Sequence, residues 1–247
     1  MTIITPKALH RTLERLLAHS QIPDEDRKNL ENLAIDERLF DPGSFIIREG
    51  DFPREIFILI SGFCIRHKIS KDGYRQIVGI NIAGDIINLH NLGLDESDHN
   101  VQMLTRSVVA AVPKDEMRCL LYNGGGAIGA ALLSASLIES SIYREWILNN
   151  GRRDSRTRIG HLLCELSVRL ELSGMGSGQA YDLPMTQEQL GDALGITAVH
   201  VNRSLKFLAR DGLIKQVGRR ISFPNWNKLK DEMGFNARYL YVRPPSQ

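Results

Sequence analysis

PMTQEQLGDALGITAVHVNRSLKFLARDGLIKQVGRRISF, Pro184 to Phe223, parses as a helix, a tight turn, a second helix and a short basic hairpin. Thr186 is suited to cap the first helix by accepting from an orphan N–H of its first turn, and Gln189, three residues on, completes a capping box. Leu190, Ala193 and Leu194 then share one face at helical spacing. Gly195 ends that helix as a residue free to turn left-handed, and Thr197 caps the next. The second helix has an apolar stripe of Val201, Leu205 and Leu208, with Ala198 and Val199 near its start. His200, Asn202, Arg203 and Lys206 remain on the other side. Imidazole, amide, guanidinium and ammonium groups on one helix face suit a DNA major groove. Gly212 breaks the helix, and LIKQVGRRISF reads as two short strands around Gly218-Arg219-Arg220. The competing reading is a helical hairpin with a solvated basic face. Cap, turn glycine, polar helix face and basic hairpin in this order favour a winged helix-turn-helix.

Charge is divided in a way that fits such a domain. The chain of 247 residues has a net charge of only +2. Residues 1–150 hold 16 Lys+Arg against 20 Asp+Glu, a net −4, whereas residues 151–247 hold 15 against 9, a net +6. A basic C-terminal third attached to an acidic remainder points to one nucleic-acid-binding domain and one domain with another task. Cys64, Cys119 and Cys164 lie far apart with no C-x-x-C pair, which offers neither a disulfide framework nor a zinc knuckle. No signal peptide and no apolar run of transmembrane length is found, so a cytoplasmic protein without a membrane partner is expected.

Residues 7–34 read as short amphipathic helices, with Leu9, Leu13, Leu16 and Leu17 on one face and Leu30 and Leu33 in the next. From Phe40 the period changes to two. Phe45 and Ile47 alternate with polar neighbours, and Ile56 to Ile60 is a buried strand. Phe63, Ile65, His67 and Ile69 oppose Cys64, Arg66 and Lys68, and Tyr74, Gln76, Val78, Ile80 and Ile82 form a further set. Gly50, Gly62, Gly73 and Gly84 recur at intervals of 12, 11 and 11, as strands joined by tight turns require. This is the pattern of a β-barrel or roll. Met103 to Val112 adds one strand, and Pro113 opens a short helix.

A long helical pattern follows Gly124-Gly125-Gly126 and ends near Asn150. Leu132, Ala135, Glu139, Ile142, Trp146 and Asn149 step by 3, 4, 3, 4 and 3, a heptad seam. Ile128, Leu133, Leu137 and Ile138 make other parts of the same helix apolar, so it must cover its own domain and also meet something else. Dimerisation through the seam is the economical explanation, burial within a monomer the alternative. Gly151-Arg152-Arg153-Asp154 is a hinge-like break, and Ile159, Leu162, Leu163, Leu166 and Leu170 mark another amphipathic helix before a GMGSG turn. The expected organisation is α+β: a roll over 1–123, a dimerisation helix over 124–150 and the winged helix-turn-helix over 151–247.

REGDFPREIFILISGFCIRH, GINIAGDIINL and GRRDSRTRIGHLLCEL, with the long helix and the helix-turn-helix, give the chain its resemblance to the Crp/Fnr family of bacterial transcription regulators. The resemblance covers nearly the whole chain. It implies a double-stranded β-roll effector domain, a dimerisation helix and a DNA-binding domain, acting as a homodimer on a near-palindromic operator with RNA polymerase as a partner. By position it implies that Thr186 and Gln187 contact the DNA backbone, that Val199, Asn202 and Arg203 face the bases, and that Lys206 lies near the backbone. Arg203 matches the family's guanine reader, whereas Val199 stands where the family often has glutamate, which alters the expected half-site. With Thr197, His200, Arg219 and Arg220 these are the candidate DNA-contacting residues.

The effector side departs from the cyclic-AMP-binding members. They carry Gly-Glu-Leu after the Gly-Asp turn, for the ribose, and later an Arg-Ser or Arg-Thr pair, for the cyclic phosphate. After Gly84-Asp85 this chain reads Ile-Ile-Asn-Leu-His-Asn-Leu, and the later pair is His99-Asn100. A cyclic phosphate without a guanidinium loses charge-assisted bonds of roughly 1.5–3 kcal/mol each, so gating by cyclic AMP is not expected. Three scattered cysteines do not supply the four ligands of an iron–sulfur cluster. His67, His90 and His99 are the histidines able to meet inside the roll, but no H-x-H pair with a glutamate partner occurs. Satisfied core or surface histidines are expected, with no metal, no cofactor and no named effector. Cys64 and Cys119 read as buried or half-buried residues, and Cys164 as a thiol whose oxidation would disturb DNA binding. The alternative function, a metal-dependent β-roll enzyme with an appended nucleic-acid-binding domain, lacks a metal triad, a general-base pair and a nucleophile motif. No catalytic residue is therefore assigned.

Overall fold

Two antiparallel sheets use the apolar runs of the N-terminal half. Their strands are β1 (Asp36–Phe40), β2 (Phe45–Ile47), β3 (Glu55–Ser61), β4 (Phe63–Ile69), β5 (Arg75–Ile82), β6 (Asn100–Met103) and β7 (Ser107–Pro113). One sheet has the order β1-β7-β3 and the other β2-β6-β4-β5. The computed structural model describes residues 33–123, 126–175 and 179–242, together with 23, 24, 28 and 30. The apolar face expected at Leu9, Leu13, Leu16 and Leu17 lies outside the described residues.

β3 shows why its sequence is an unbroken apolar run. Phe57 and Leu59 face a cluster with Ile47, Cys64, Val101, Met103, Val109 and Ala111. Ile56 and Ile58 face a second cluster with Leu30, Ile86, Ala110, Val112, Met117, Ile128 and Leu132. A strand buried on both faces has no polar side to alternate with. Gly50, Gly62, Gly73 and Gly84 all take positive φ, between 82° and 96°, as the turn spacing requires.

Three expectations are corrected. Met103–Val112 is two strands, because Leu104–Arg106 turn between β6 and β7. In β5 it is Ile77, not Tyr74 and Gln76, that is buried; the turn end of this hairpin stands in solvent, with Tyr74 77% exposed. In β4, Arg66 and His67 are both buried, so the strand has no polar face at that level.

From Lys114 onward the α-helices are α1 (Lys114–Asn123), α2 (Ala127–Arg152), α3 (Ser155–Leu172), α4 (Gln187–Leu194), α5 (Ala198–Arg210) and α6 (Trp226–Met233). α3 begins at the predicted break: Asp154 caps it by accepting from Thr157 N at 2.9 Å. Its Ile159, Leu162, Leu163, Leu166 and Leu170 are all buried, as the spacing predicts. A third sheet, β8 (Ala180–Asp182), β10 (Arg220–Ser222) and β9 (Lys215–Val217) in that order, contains the predicted hairpin plus a strand that the sequence reading leaves out. By backbone proximity the chain forms two compact units, 1–68 with 79–139, and 69–78 with 140–247. This division falls inside α2. In the second unit the 69–78 segment is held by Arg75, 2.7 Å from Asp192. Among the described residues no single helix is long and apolar enough to cross a membrane.

Candidate nucleic-acid interface and the interior of the roll

The two helices after Met185 have the local chemistry their sequence predicts. Thr186 Oγ1 accepts from Gln189 N (3.2 Å) while Gln189 Oε1 accepts from Thr186 N (2.8 Å), a complete capping box. Gly195 closes α4 with φ 63°. A Cβ on Gly191 would stand 2.5 Å from Ile196 O, so the turn is able to fold against α4 only over a glycine. Thr197 caps α5 through His200 N at 3.3 Å. Val201, Leu205 and Leu208 are buried, and Arg158 Nη1 donates to Leu194 O at 2.9 Å, anchoring α3 to the end of α4.

What α5 leaves outside is the polar set. Val199 (76% exposed), His200, Arg203 and Lys206 are exposed, and Asn202 is half-buried with its Nδ2 donating to Gln187 Oε1 at 3.1 Å. Thr186, Gln187 and Thr197 are exposed as well. The Arg203 guanidinium lies 6.0 Å from the Phe207 ring centroid, and Arg210 lies 4.9 Å from the same ring. On the hairpin, Arg219 Nε donates to Leu183 O at 3.2 Å, and Arg220 stands 3.6 Å from Asp182 in an exposed pair. Exposed ion pairs of this kind are weak and readily exchanged for phosphate. The sequence reading omits Lys215, an exposed cation at the start of β9; its only sequence signal is membership of the basic hairpin.

The seam expected at Leu132, Ala135, Glu139, Ile142, Trp146 and Asn149 is largely occupied within the chain. Leu132 joins the cluster against β3 and β7, and Glu139 pairs with Arg66. Trp146 Nε1 donates to the Glu165 carboxylate at 3.1 Å, and Asn149 Nδ2 donates to Arg158 O at 3.2 Å. Ala135 and Ile142 are half-buried. A helix apolar on two stripes offers two heptad readings, and the chain's own core takes the one that holds Trp146. The stripe left exposed contains Leu133, Leu137, Ile147 and Leu148.

Inside the roll the expectation of separately satisfied histidines is also corrected. His90 lies in the 3-10 turn Leu89–Leu92, and His99 just before β6. Their ring centroids are 4.9 Å apart, tilted by 46°. His99 Nδ1 is 2.7 Å from Asp98 Oδ1, while Nε2 of both rings is buried without a hydrogen-bond partner. Burial and the neighbouring His99 pull His90 down to about 4, and burial likewise lowers His99. His67 does not join them; it meets the Phe45 ring edge-on at 5.8 Å. Arg66 donates to Ile86 O and Ile87 O and pairs with Glu139 of α2. Sequence reasoning misses Arg66 because only the fold brings it near the histidines, and it passes over Asp98 although its place next to His99 is a local signal.

Cys64 is buried as expected and Cys164 is buried as well, whereas Cys119, expected to be buried or half-buried, is exposed. Burial pushes Cys64 up to about 12 and Cys164 higher still, so neither is a ready thiolate.

Residues 37–123 match the cyclic nucleotide-binding domain family, and residues 157–232 match the Crp-like helix-turn-helix domain family. The transcriptional activator protein FnrL of Cereibacter sphaeroides is 27% identical over 237 residues, covering 93% of this chain and 94% of that one. The fumarate and nitrate reduction regulatory protein of Escherichia coli K12 is 22% identical, covering 90% and 88%. Among solved structures, FixK2 from Bradyrhizobium japonicum superposes with a TM-score of 0.71 at 23% identity, over 81% of this chain and 97% of that one. A CRP-family regulator from Thermus thermophilus gives 0.63 at 17% identity, over 80% and 96%. A roll of the nucleotide-binding type joined by a long helix to a Crp-like reading head, alike over nearly the whole chain to transcriptional activators, makes this chain a DNA-binding transcription regulator of the Crp/Fnr family.

Proposed function

We propose that the protein works as a cytoplasmic homodimer that reads a near-palindromic operator, contacts RNA polymerase and is gated through its roll by something other than cyclic AMP, without catalysing a reaction. The observation that carries this reading is α5, whose caps and apolar stripe are internally satisfied while Val199, His200, Arg203 and Lys206 stand exposed. In this reading Arg203 takes a guanine edge, while Thr186, Gln187, Thr197, Lys206, Arg219 and Arg220 meet phosphates. Against cyclic AMP stands the roll's interior. Asn100 Oδ1 accepts from Glu49 N (3.2 Å), and the buried Arg66 is already engaged by two carbonyls and Glu139. Among the described residues Arg66 is the one arginine buried in the roll, so the guanidinium that would balance a buried cyclic phosphate is already committed. The activator named in FnrL supports RNA polymerase as a partner.

Binding titrations against operator and scrambled DNA at several salt concentrations test the reading head. Arg203→Ala should flatten preference at one base in each half-site, a loss of roughly 1–3 kcal/mol of discrimination. Arg219→Ala with Arg220→Ala should weaken all sequences alike and lower the salt slope by about 2. An Arg203→Ala protein with full sequence preference removes α5 as the reader. The dimer is tested separately. Leu137→Glu puts like charges across a two-fold seam built on Leu133, Leu137, Ile147 and Leu148, and sedimentation should then report monomers.

A further inference from the structure

We propose that His90 and His99, with Asp98 as the residue that positions His99, bind a divalent transition-metal ion inside the roll, and that this ion shifts operator affinity. The second half rests on the reading of the protein as a regulator; the first does not.

One candidate ligand atom from each of His90, Asp98 and His99 lies within 4.8 Å of the others; with Asp98 held to His99 Nδ1, the two Nε2 atoms are the ligands and water fills the remaining positions. Around a tetrahedral ion with nitrogen bonds of about 2.0–2.1 Å, ligand atoms stand roughly 3.3 Å apart. Ion binding requires the two rings to turn until their Nε2 atoms reach that spacing. His99 is 8% exposed, and its Nε2 has no hydrogen bond, nor has that of His90. Buried ring nitrogens are rarely left so, and two in one pair of touching rings call for a shared ligand. Asp98 Oδ1, 2.7 Å from His99 Nδ1, is the carboxylate–histidine arrangement that puts a proton on Nδ1 and a lone pair on Nε2. The Asp98 side chain is 77% exposed, so the cluster has an open side for entry.

Neighbouring cations do not oppose the ion unbalanced. Arg66 is paired with Glu139, Lys114 Nζ is 2.8 Å from Asp95, and Lys68 Nζ is 3.3 Å from Glu49. Two imidazoles select Zn²⁺, Co²⁺, Ni²⁺ or Cu²⁺ over Mg²⁺ and Ca²⁺, which take oxygen. A route outward is also built in. His90 belongs to the turn that follows Ile86 and Ile87, whose carbonyls hold Arg66, and Arg66 holds Glu139 on α2. An ion that draws His90 towards His99 pulls on that clamp.

The test uses the full chain without an affinity tag and with Cys119→Ser, since Cys119 is an exposed thiol. Co²⁺ is titrated to follow its visible d–d bands, and Zn²⁺ is titrated in competition with a chromophoric chelator. One equivalent per chain should bind in the micromolar range or tighter, and Mg²⁺ should not compete. His90→Ala and His99→Ala should each weaken binding by about a hundredfold or more, and Asp98→Asn by about ten- to a hundredfold. Circular dichroism checks the fold, and His90→Gln replaces any alanine variant that unfolds. Binding by the parent no tighter than by His99→Ala overturns the site. Operator affinity is then compared with and without Zn²⁺. A change of about fivefold or more, absent in His99→Ala, is expected, and an unchanged affinity overturns the effector role. Loss of operator binding under every condition would instead strike the reading as a regulator and leave the metal measurement standing.

Discussion

The face of α5 and the interior of the roll both gather polar side chains, but on opposite terms with water. On α5 they are exposed apart from half-buried Asn202, the His200 N–H at the helix start is served by Thr197 three residues before it, and Arg203 has solvent on its open side. In the roll, Arg66 is only 3% exposed and relies on carbonyls about twenty residues away and on Glu139, seventy-three residues away. The difference decides what a mutation does. An exposed polar group returns to water when its partner is removed, so its loss registers as function. A buried one leaves its partners desolvated and unpaired, so its loss registers as stability.

Arg66→Ala breaks that comparison most directly. It strands Glu139 and two buried carbonyls, and breaking a buried pair from one side costs about 3–5 kcal/mol. Denaturant unfolding should show that loss, whereas Arg203→Ala should leave unfolding unchanged. A cost under about 1 kcal/mol for Arg66→Ala would mean that water reaches the roll's interior.

The same contrast explains what was legible beforehand. Thr186, Gln189, Gly195 and Thr197 act on neighbours within a few residues, so their roles are written in local spacing, and the helix-turn-helix follows from sequence alone. The glycine turns and the buried run in β3 are equally local. Arg66, His90 and the adjacent pair Asp98-His99 belong to separate elements, and nothing in the spacing of one announces another. α2 fails for a related reason: its sequence shows two apolar stripes, but only the fold shows that Leu132 and Trp146 are already covered. Strand β8 is three residues long and pairs with β10 through Tyr181↔Ile221, too short a run to carry a period.

His161 sharpens the comparison inside the second unit, which holds both a buried titrating group and the exposed reading face. It is 2% exposed and packed against Phe235 at 5.0 Å, with Nε2 3.2 Å from Glu145 Oε1 but outside hydrogen-bond geometry. Burial, aided by the charge of Arg153, pulls it down to about 3. The folded ring therefore stays neutral while the unfolded one takes up a proton below its ordinary value of about 6.5. Its contribution is fully present above that value and is lost as pH falls towards 3. Between pH 7 and pH 5 the loss is about 2 kcal/mol. His161→Gln should flatten the fall by that amount, measured as the difference in unfolding free energy at the two pH values. An unchanged slope would show that the imidazole is charged in the fold.

Thr186→Ala is the smallest expected effect and the finest probe of the exposed side. Thr186 is read both as the N-cap of α4 and as a phosphate contact, and the two roles separate by substitution. Alanine removes the Oγ1 that accepts from Gln189 N, but the site is exposed and water replaces part of the bond. A cap of this kind is worth about 1 kcal/mol. That corresponds to about a fivefold faster hydrogen exchange for the first-turn amides of α4, with the rest of the chain unaffected. Serine keeps the hydroxyl and should restore exchange to its original rate. If the hydroxyl also meets a phosphate, Thr186→Ala weakens scrambled and operator DNA equally, and serine recovers both. Restoration of exchange by serine without recovery of DNA affinity would leave Thr186 as a cap only, and would move the backbone contact of this turn to Gln187.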